Sequence, residues 1–253
     1  MAIVVVARDP RRAKTRLRGA LAPGHRASLA LAMLDDVVAA AMRTRKPVLV
    51  VTDARSIAAR VRMLGARATV APARGTRAGA AHGLRLAARD GADAVLVIAA
   101  DLPFATAADF RRVIAAGRRA EIVIVPDKGG SGTNALFLRP PSRIAPLFGH
   151  GSLAAHRRAA GRDGKVLRVA RLGVDIDTPS DLRARSNGQQ AERGSIRGVR
   201  SRRSLAAQLH RRGVEVHPLV PRDRGPGSRR RADVPAGGHV GRPPHEVLDP
   251  QWR

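Results

Sequence analysis

The sequence has no cysteine and no tyrosine, and its 253 residues include only one tryptophan and four phenylalanines. Without cysteine, disulfides and thiolate zinc sites are excluded, so any bound metal must be held by oxygen or imidazole ligands. The shortage of aromatic rings argues against the stacking platforms on which single-strand-binding and RNA-binding proteins hold bases. No run of about 18 apolar residues free of charge occurs, so no membrane-spanning helix is expected.

Acidic residues are also scarce: 47 Lys and Arg stand against 20 Asp and Glu, for a formal net charge of +27. Clustered basic side chains can neutralise phosphates, which makes a nucleic-acid-binding protein one interpretation. Arginine outnumbers lysine 43 to 4, however, and alanine is abundant, a bias more typical of a GC-rich coding sequence than of a selected basic groove. We therefore expect the charge to attract small anionic substrates rather than nucleic acid.

The apolar run at the amino end is short. Residues 3–7 are apolar, but Arg8, Asp9 and Pro10 follow at once. This run is too short for the apolar core of a signal peptide and lacks its basic leader. We interpret it as a buried first strand and expect a cytoplasmic protein.

Up to about residue 185, short β-branched runs alternate with longer stretches rich in alanine and leucine. This alternation is typical of a three-layer α/β/α domain, in which a mainly parallel mixed sheet is covered by helices on both faces. The predicted strands are residues 3–7, 47–52, 67–71, 94–100, 121–125, 133–138 and 165–170. The predicted helices are residues 25–43, 55–64, 78–90, 106–117, 152–161 and 179–184.

The composition changes after about Arg185, where Gly, Pro, Arg, Ser and Gln become dominant. Apolar residues there no longer keep a period of about 2 or 3.6 residues. Such a segment cannot bury enough apolar surface to offset the entropy lost on ordering. We therefore predict one domain over residues 1–185 and a disordered, dispensable tail over residues 186–253.

Two basic side chains follow the first strand in the segment AKTRL, residues 13–17. Lys14 and Arg16 could bracket the triphosphate of a nucleotide, the lysine as a point charge and the arginine as a bidentate fork. An ordinary basic loop would show the same spacing. The residues alone therefore leave both interpretations open.

Carboxylates stand in two further places. The apolar strand that begins at Val95 ends in Asp101, which could hold Mg²⁺ against a phosphate, although a turn or helix N-cap aspartate is the alternative. Asp175 and Asp177 are two residues apart before Pro179, hence on one side of an extended segment. Because paired acids on one face repel each other unless a cation lies between them, a metal site is favoured over a solvated acidic turn.

Two glycine-containing loops complete the set. In residues 126–134 (PDKGGSGTN) three glycines would let backbone amides approach an anion; a hairpin turn explains them, but explains the Thr133-Asn134 pair less readily. Residues 148–152 (FGHGS) precede a predicted helix, with Ser152 expected as its N-cap and the helix amino end as an anion site. His156 follows one turn later.

Taken in order, these segments resemble the 2-phospho-L-lactate guanylyltransferase family, a branch of the nucleotide-diphospho-sugar transferase-like fold, over about residues 1–185. The family's Ala-Lys-Thr/Ser-Arg-Leu, Ala-Asp-Leu-Pro, Gly-x-Gly-Thr-Asn/Thr, Phe-Gly-x-Gly-Ser-x-x-x-His and Asp-x-Asp-Thr-Pro each have a counterpart here. The Gly-Thr-Asn and Phe-Gly-x-Gly-Ser segments are the more specific ones, because Lys-Thr-Arg-Leu and Asp-x-Asp-Thr-Pro also occur in related transferases.

The resemblance implies transfer of GMP from GTP to the phosphate of a small phospho-acid (2-phospho-L-lactate, phosphoenolpyruvate or 3-phospho-D-glycerate) in coenzyme F-420 biosynthesis. The roles that it implies are Mg²⁺ binding for Asp101, Asp175 and Asp177; contact with the GTP phosphates for Lys14 and Arg16; acceptor binding for Thr133, Gly149 and Ser152; and approach to the nucleotide for Gly75. A homodimer, and hand-over of the product to the next enzyme of the pathway, are further expectations.

The sequence departs from the family pattern in two places. Arg8-Asp9-Pro10-Arg11 replaces Lys/Arg-Pro-Leu and puts an unusual acid near the expected triphosphate; Gly75-Thr76-Arg77 replaces Gly-Leu-Asn. We expect these changes to affect nucleotide preference, affinity or activity. A glycosyltransferase-like protein or another nucleotidyltransferase of the same fold is the alternative, and a nucleic-acid-binding protein that uses the arginine-rich tail is a more distant one.

Overall fold

The computed structural model of the chain describes residues 1–73, 75–178 and 181. Its strands are β1 (Ala2–Ala7), β2 (Val48–Thr52), β3 (Arg67–Val70), β4 (Val95–Ala99), β5 (Ile122–Pro126), β6 (Thr133–Leu138) and β7 (Gly164–Val166). Its α-helices are α1 (Pro23–Met42), α2 (Arg55–Met63), α3 (Thr76–Arg89), α4 (Ala107–Ala116) and α5 (Ser152–Ala160). Short 3-10 helices span Thr15–Leu17 and Gly161–Asp163.

The strands form a single sheet in the order β3-β2-β1-β4-β6-β5-β7. Strand β6 is antiparallel to its neighbours β4 and β5, whereas the other pairs are parallel. The residues of β1, β2, β5 and β6 are all buried, as the near-continuous apolar runs predict for strands covered on both faces. Because β6 runs against β4, its first residue, Thr133, lies at the sheet edge where β1 and β4 end.

Apolar side chains cover both faces of the sheet. On one face, Ile3 and Val5 of β1 share a cluster with residues of α1, α2 and α4; on the other, Val4 and Val6 share a cluster with α3 and α5. The predicted three-layer α/β/α arrangement with a mainly parallel mixed sheet is therefore confirmed. Among the described residues, no helix has the length and apolar content that crossing a membrane requires.

Two glycines of helix α3 face the sheet where a larger residue would not fit. A Cβ atom on Gly79 would lie 2.9 Å from Cγ1 of Val6, and one on Gly83 would lie 3.0 Å from Cγ2 of Val51. Real Cβ atoms do not normally approach carbon this closely. The glycines therefore set the distance between α3 and strands β1 and β2.

Most predicted elements match the structure to within two residues at each end, but the strand predicted over residues 165–170 is wrong in its second half. Strand β7 ends at Val166, and a turn follows in which the backbone N–H groups of Leu172 and Gly173 donate to the carbonyl of Val169, at 3.0 and 2.9 Å. The turn buries Val169 and Leu172 in the core. The predicted helix 179–184, apart from Asp181, and the predicted tail 186–253 lie outside the described residues.

Candidate active site

A cavity of about 250 Å³ opens where β1 and β4 end. Its polar lining includes Lys14, Thr76, Asp101 and Asp177, and its apolar wall includes residues of α1 and α2. A larger cavity, of about 530 Å³, lies at the opposite edge of the sheet, but its acidic residue, Asp90, is already paired with Arg67 at 2.7 Å. We place the candidate site in the smaller cavity, because ligands of open α/β sheets bind at the carboxyl ends of the strands.

Lys14 is the centre of the charged cluster in this cavity. Its side chain is only 4% exposed, and its Nζ lies 2.8 Å from Oδ2 of Asp101 and 2.8 Å from Oδ1 of Asp177. Its backbone is left-handed, with φ of 54°, and starts the short 3-10 helix that follows β1. The structure therefore brings together a base and two acids that lie far apart in the sequence.

A small apolar cluster explains why these segments meet. Leu17, which follows Lys14 by one turn, and Ile176, which stands between the two acids, are both fully buried against residues of α1. Since Ile176 points into this cluster, Asp175 and Asp177 on either side of it face away from it. The packing of Ile176 against Leu17 thus delivers Asp177 to Lys14.

Burial and mutual repulsion perturb the charges of the cluster. Burial alone would lower the pKa of Lys14, but the carboxylates of Asp101 and Asp177 outweigh it and raise the pKa. Burial, together with the charges of Asp101 and Asp177, raises the pKa of Asp175 to about 6. Asp175 therefore lies within electrostatic reach of the other two acids and of Lys14, although it does not line the cavity.

The carboxylates of this cluster are the candidate ligands for a divalent cation. In the described part of the chain, no three side chains of His, Cys, Asp or Glu are grouped as a ready metal site. Two carboxylates nevertheless converge on one positive charge, the ammonium group of Lys14. Carboxylate oxygens are the ligands that Mg²⁺ prefers, and this ion needs only one or two of them because it keeps several waters. The donor set of Asp101 and Asp177, with Asp175 beside them, therefore fits Mg²⁺.

The second group of predicted residues lies where β6 begins and α5 begins. Thr133 is buried, and its Oγ1 lies 3.0 Å from Nδ1 of His156. The backbone N–H of Ser152 donates to the carbonyl of Gly149 at 3.2 Å, and that of Leu153 donates to Ser131 at 3.1 Å. The glycine-rich loop between β5 and β6 is thereby tied to the amino end of α5.

The prediction that Ser152 is the N-cap of α5 is wrong by one residue. Gly151 occupies that position with φ of 67°, a left-handed conformation that glycine adopts without strain, and Ser152 is the first helical residue. The side chain of Ser152 is buried, with 1% exposure. The backbone N–H groups of Ser152 and Leu153 already donate to Gly149 and Ser131, so an anion at this helix end would use the remaining N–H groups of the first turn.

His156 is a residue that the sequence-based site prediction omitted, although it stands in the quoted motif. It is fully buried, and its Nε2 accepts a hydrogen bond from the backbone N–H of Leu147 at 2.8 Å. Burial and the positive charge of Arg77 lower the pKa of His156 to about 4. Its spacing of four residues from Ser152 was the available signal, because residues four apart lie on the same face of a helix.

The loop between β5 and β6 also supports the acidic segment. The side-chain amide of Asn134 donates to the carbonyl of Leu172 at 2.9 Å, and the backbone N–H of Lys128 donates to Gly173 at 2.6 Å. These bonds hold the chain just before Asp175. The two residues of the Thr-Asn pair thus bond to different segments. Thr133 contacts His156 of α5, whereas Asn134 bonds to Leu172, which precedes the acids.

Other predicted site residues lie outside the 250 Å³ cavity. Arg16 is exposed on the 3-10 helix after Lys14, and Gly75 is the N-cap of α3 with φ of 101°. Neither lines the cavity within the described residues, and Thr133, Gly149 and Ser152 do not line it either. The structure therefore joins Lys14, Asp101 and Asp177 directly and leaves Thr133, Gly149 and Ser152 as a separate cluster.

Asp9, the acid that departs from the family pattern, makes structural hydrogen bonds in the segment after β1. Oδ1 of Asp9 accepts from the backbone N–H of Arg11 at 3.0 Å, and the backbone N–H of Asp9 donates to Oδ1 of Asp53 at 2.6 Å. The second departure, Arg77, lies at the start of α3 and acts on His156 through its charge. Asp9 thus caps its own turn, and its backbone is held by Asp53.

Comparison with known proteins decides the family. The model of the guanylyl transferase family described as CofC-like matches residues 1–186. The chain belongs to this family. The CofC-like chain is 41% identical over 175 residues to phosphoenolpyruvate guanylyltransferase from Sphaerobacter thermophilus. The aligned region covers 67% of this chain and 84% of that protein. It is 38% identical over 190 residues to 2-phospho-L-lactate guanylyltransferase from Halorubrum lacusprofundi, covering 71% and 81%.

Solved structures agree on the fold of this CofC-like chain. A candidate nucleotide-diphospho-sugar transferase from Desulfovibrio desulfuricans superposes with a TM-score of 0.64 at 17% identity, covering 83% of this chain and 95% of that one. A nucleotidyl transferase from Methanothermobacter thermautotroptrophicus gives 0.54 at 18% identity, covering 75% and 98%. The predicted nucleotide-diphospho-sugar transferase-like fold is confirmed, and family membership makes the protein a nucleotidyltransferase of the guanylyltransferase type.

Proposed function

We propose that this enzyme transfers GMP from GTP to the phosphate of phosphoenolpyruvate, releasing pyrophosphate, as a step of coenzyme F-420 biosynthesis. The observation that carries the proposal is the convergence of Lys14, Asp101 and Asp177 at the sheet edge where Thr133 also begins its strand. The name of the relative from Sphaerobacter thermophilus supports phosphoenolpyruvate as the acceptor, and that of the Halorubrum lacusprofundi relative supports 2-phospho-L-lactate as the alternative. 3-Phospho-D-glycerate is the third acid to be tested.

In this proposal Asp101, Asp175 and Asp177 hold Mg²⁺, which when bound neutralises negative charge on the phosphates that react. Lys14 and Arg16 bind the GTP phosphates. Lys14 is suited to this because its pKa is raised, which keeps the ammonium charged at any physiological pH. Gly75, at the amino end of α3, lets the backbone approach the nucleotide.

The proposed reaction requires the protein mainly to position the two substrates and to stabilise the charge on their phosphates. A phosphate oxygen of the acceptor forms a bond to the α-phosphorus of GTP, and the bond from that phosphorus to the bridging oxygen of pyrophosphate breaks. The phosphate nucleophile is already ionised at neutral pH, so the protein needs no general base. The charged cluster around Lys14 supplies a fixed electrostatic environment, the kind of contribution that is usually largest in such reactions.

The acceptor acid binds beside this cluster in our proposal. Thr133 offers its hydroxyl group, and Gly149 and Ser152 offer the amino end of α5 to the carboxylate or phosphate of the acid. The β5–β6 loop and the start of β6 tie the two places together, through Ser131 and Asn134 respectively. Attack on the α-phosphorus would therefore take place between two groups of residues that share one supporting loop.

The acceptor is identified by incubating the protein with GTP, Mg²⁺ and each of the three acids while following pyrophosphate release. We expect phosphoenolpyruvate to be the best acceptor. Turnover of another acid in preference would correct the substrate but keep the reaction. Absence of turnover with all three, with GTP still bound, would favour the glycosyltransferase-like alternative.

Substitutions separate the two halves of the site. Ser152→Ala and Thr133→Val should raise the KM for the phospho-acid much more than that for GTP, whereas Lys14→Ala should do the opposite. Loss of one hydrogen bond to a charged group costs on the order of 1.5–3 kcal/mol, which corresponds to roughly a ten- to hundredfold effect. If all three variants affect both substrates equally, the two halves of the cleft have been assigned wrongly.

A further inference from the structure

The buried imidazole of His156 has a hydrogen-bonding arrangement that admits one protonation state. Its Nε2 accepts from the backbone N–H of Leu147 at 2.8 Å, so Nε2 carries no hydrogen. A neutral imidazole has one N–H group, which must then be on Nδ1. Nδ1 lies 3.0 Å from Oγ1 of Thr133, and the backbone carbonyl of Ser152 also interacts favourably with the protonated ring.

The state of His156 dictates what the hydroxyl group of Thr133 can do. Since Nδ1 carries the hydrogen, it cannot accept from the hydroxyl group of Thr133, so Oγ1 of Thr133 can only be an acceptor in this contact. A hydroxyl group that accepts from one side keeps its own hydrogen for another partner. Thr133 lies next to the amino end of α5 through the Ser131–Leu153 bond, where the acceptor acid is proposed to bind.

We propose that His156 is a positioning residue which, in its neutral Nδ1–H form, turns the hydroxyl hydrogen of Thr133 toward the phospho-acid. The inference rests on the proposed function, because it assumes that Thr133 binds the acceptor. It adds a residue to which the resemblance gives no role, and it makes Thr133 an obligatory donor. An obligatory donor suits an anion, which can only accept hydrogen bonds.

The surroundings keep the ring neutral. Protonated His156 would present an N–H at Nε2 to the N–H of Leu147, two donors that cannot bond to each other. The charged group that acts on the ring is Arg77 of α3, and Phe148 packs edge-on at 5.3 Å between ring centroids. Burial and the charge of Arg77 disfavour the imidazolium and outweigh the hydrogen bond to the backbone of Ser152, so the pKa of His156 is lowered to about 4.

Two substitutions separate a positioning role from a merely structural one. In His156→Asn the amide nitrogen takes the place of Nδ1 and can still donate to Thr133, but the partner of Leu147 is lost. In His156→Gln the amide reaches the place of Nε2 and can still accept from Leu147, but the donor to Thr133 is lost. We expect the glutamine variant to raise the KM for phosphoenolpyruvate roughly tenfold and the asparagine variant to stay within about threefold of the unaltered enzyme. The KM for GTP should change little in either.

Two further measurements serve as controls. Melting temperatures of both variants report any loss of folding, and a structural role alone would make the kinetic defects follow those temperatures. In a Thr133→Val background, His156→Gln should add no further increase in the KM for the acid, because the hydroxyl that it orients is gone. Independent, additive effects of the two substitutions would overturn the proposal.

Nitrogen NMR of the imidazole groups gives a readout that does not depend on turnover. The His156 signal, assigned by its loss in the asparagine variant, should show a protonated Nδ1 and an unprotonated Nε2 at pH 7. The opposite tautomer or a charged ring overturns the proposal even if the enzyme is active. If the tautomer is as expected but none of the acids is turned over, the proposed function is what fails, and the acceptor-positioning role fails with it.

Discussion

Gly83→Ala is expected to loosen α3 from the sheet. A Cβ atom at this position would lie 3.0 Å from Cγ2 of Val51, 3.4 Å from Cγ2 of Val4 and closer still to Cγ1 of Val4. Both valines are fully buried in the central strands β1 and β2, so they cannot move aside. Normal separation between such carbons is about 3.5–4.0 Å, so the helix must shift by the order of 1 Å.

The magnitude follows from two opposing effects. Overpacking of a well-filled core costs about 1–3 kcal/mol, and alanine in place of glycine favours a helix by up to about 1 kcal/mol. The net loss of unfolding free energy should therefore be about 0.5–2 kcal/mol, or a fall in Tm of roughly 2–6 °C for a domain of this size. Because Thr76 at the other end of α3 lines the cavity, the KM for GTP should rise as well.

Thermal unfolding followed by circular dichroism tests this expectation, with Gly24→Ala as the matched control. Gly24 also lies within a helix, but a Cβ atom there would meet nothing within 4 Å. The control should therefore be as stable as the unaltered protein or slightly more stable. If Gly83→Ala melts at the same temperature as the control, the close approach of α3 to the sheet is not what the glycine maintains.

Three other predictions concern the acids, the buried histidine and the carboxyl-terminal segment. Asp101→Asn, Asp175→Asn and Asp177→Asn should each lower turnover by more than about a hundredfold while the Tm is largely kept, and unimpaired pyrophosphate release in any one would remove that residue from the site. As the pH falls from 6.5 toward 4, His156 becomes protonated in the unfolded chain but stays neutral in the folded protein. The free energy of unfolding should therefore fall by up to about 3 kcal/mol relative to that of His156→Asn. The same pH dependence of stability in both proteins would contradict this. A chain that ends at residue 186 should retain guanylyl transfer because the family model matches residues 1–186, and loss of activity would show that residues 187–253 are needed.

The order of strands and helices was predictable because buried parallel strands are nearly continuous apolar runs, whereas the helices between them are longer and rich in alanine. The same signal failed in residues 165–170. There Val169 is buried as a strand residue would be, but it belongs to a turn that also buries Leu172. Burial alone does not distinguish a strand from a turn folded onto the core, and only the hydrogen bonds to Val169 reveal the difference.

The members of the charged cluster were predictable one by one, but their pairing was not. Asp101 stands at the end of an apolar strand, and Lys14 follows another, so their place at one sheet edge follows from the alternation. That the ammonium of Lys14 lies between Asp101 and Asp177 depends on the left-handed backbone of Lys14 and on the packing of Leu17 against Ile176. Those contacts join residues about 160 positions apart, a separation that no local pattern can report.

The reversed direction of β6 explains how the residues proposed for the two substrates come to share one sheet edge. Strands β1 and β4 end at this edge with Lys14 and Asp101, whereas β6, because it is antiparallel, begins there with Thr133. If β6 ran parallel to β4, Thr133 would lie at the opposite edge of the sheet, away from the charged cluster. The β5–β6 loop and the start of β6 contact both groups of residues. Ser131 bonds to Leu153 of α5, and Asn134 bonds to Leu172, which precedes the acids. In the proposed reaction, the turn that reverses the chain would therefore help to hold the residues proposed for the acceptor in a constant position relative to the carboxylates, as an in-line transfer requires.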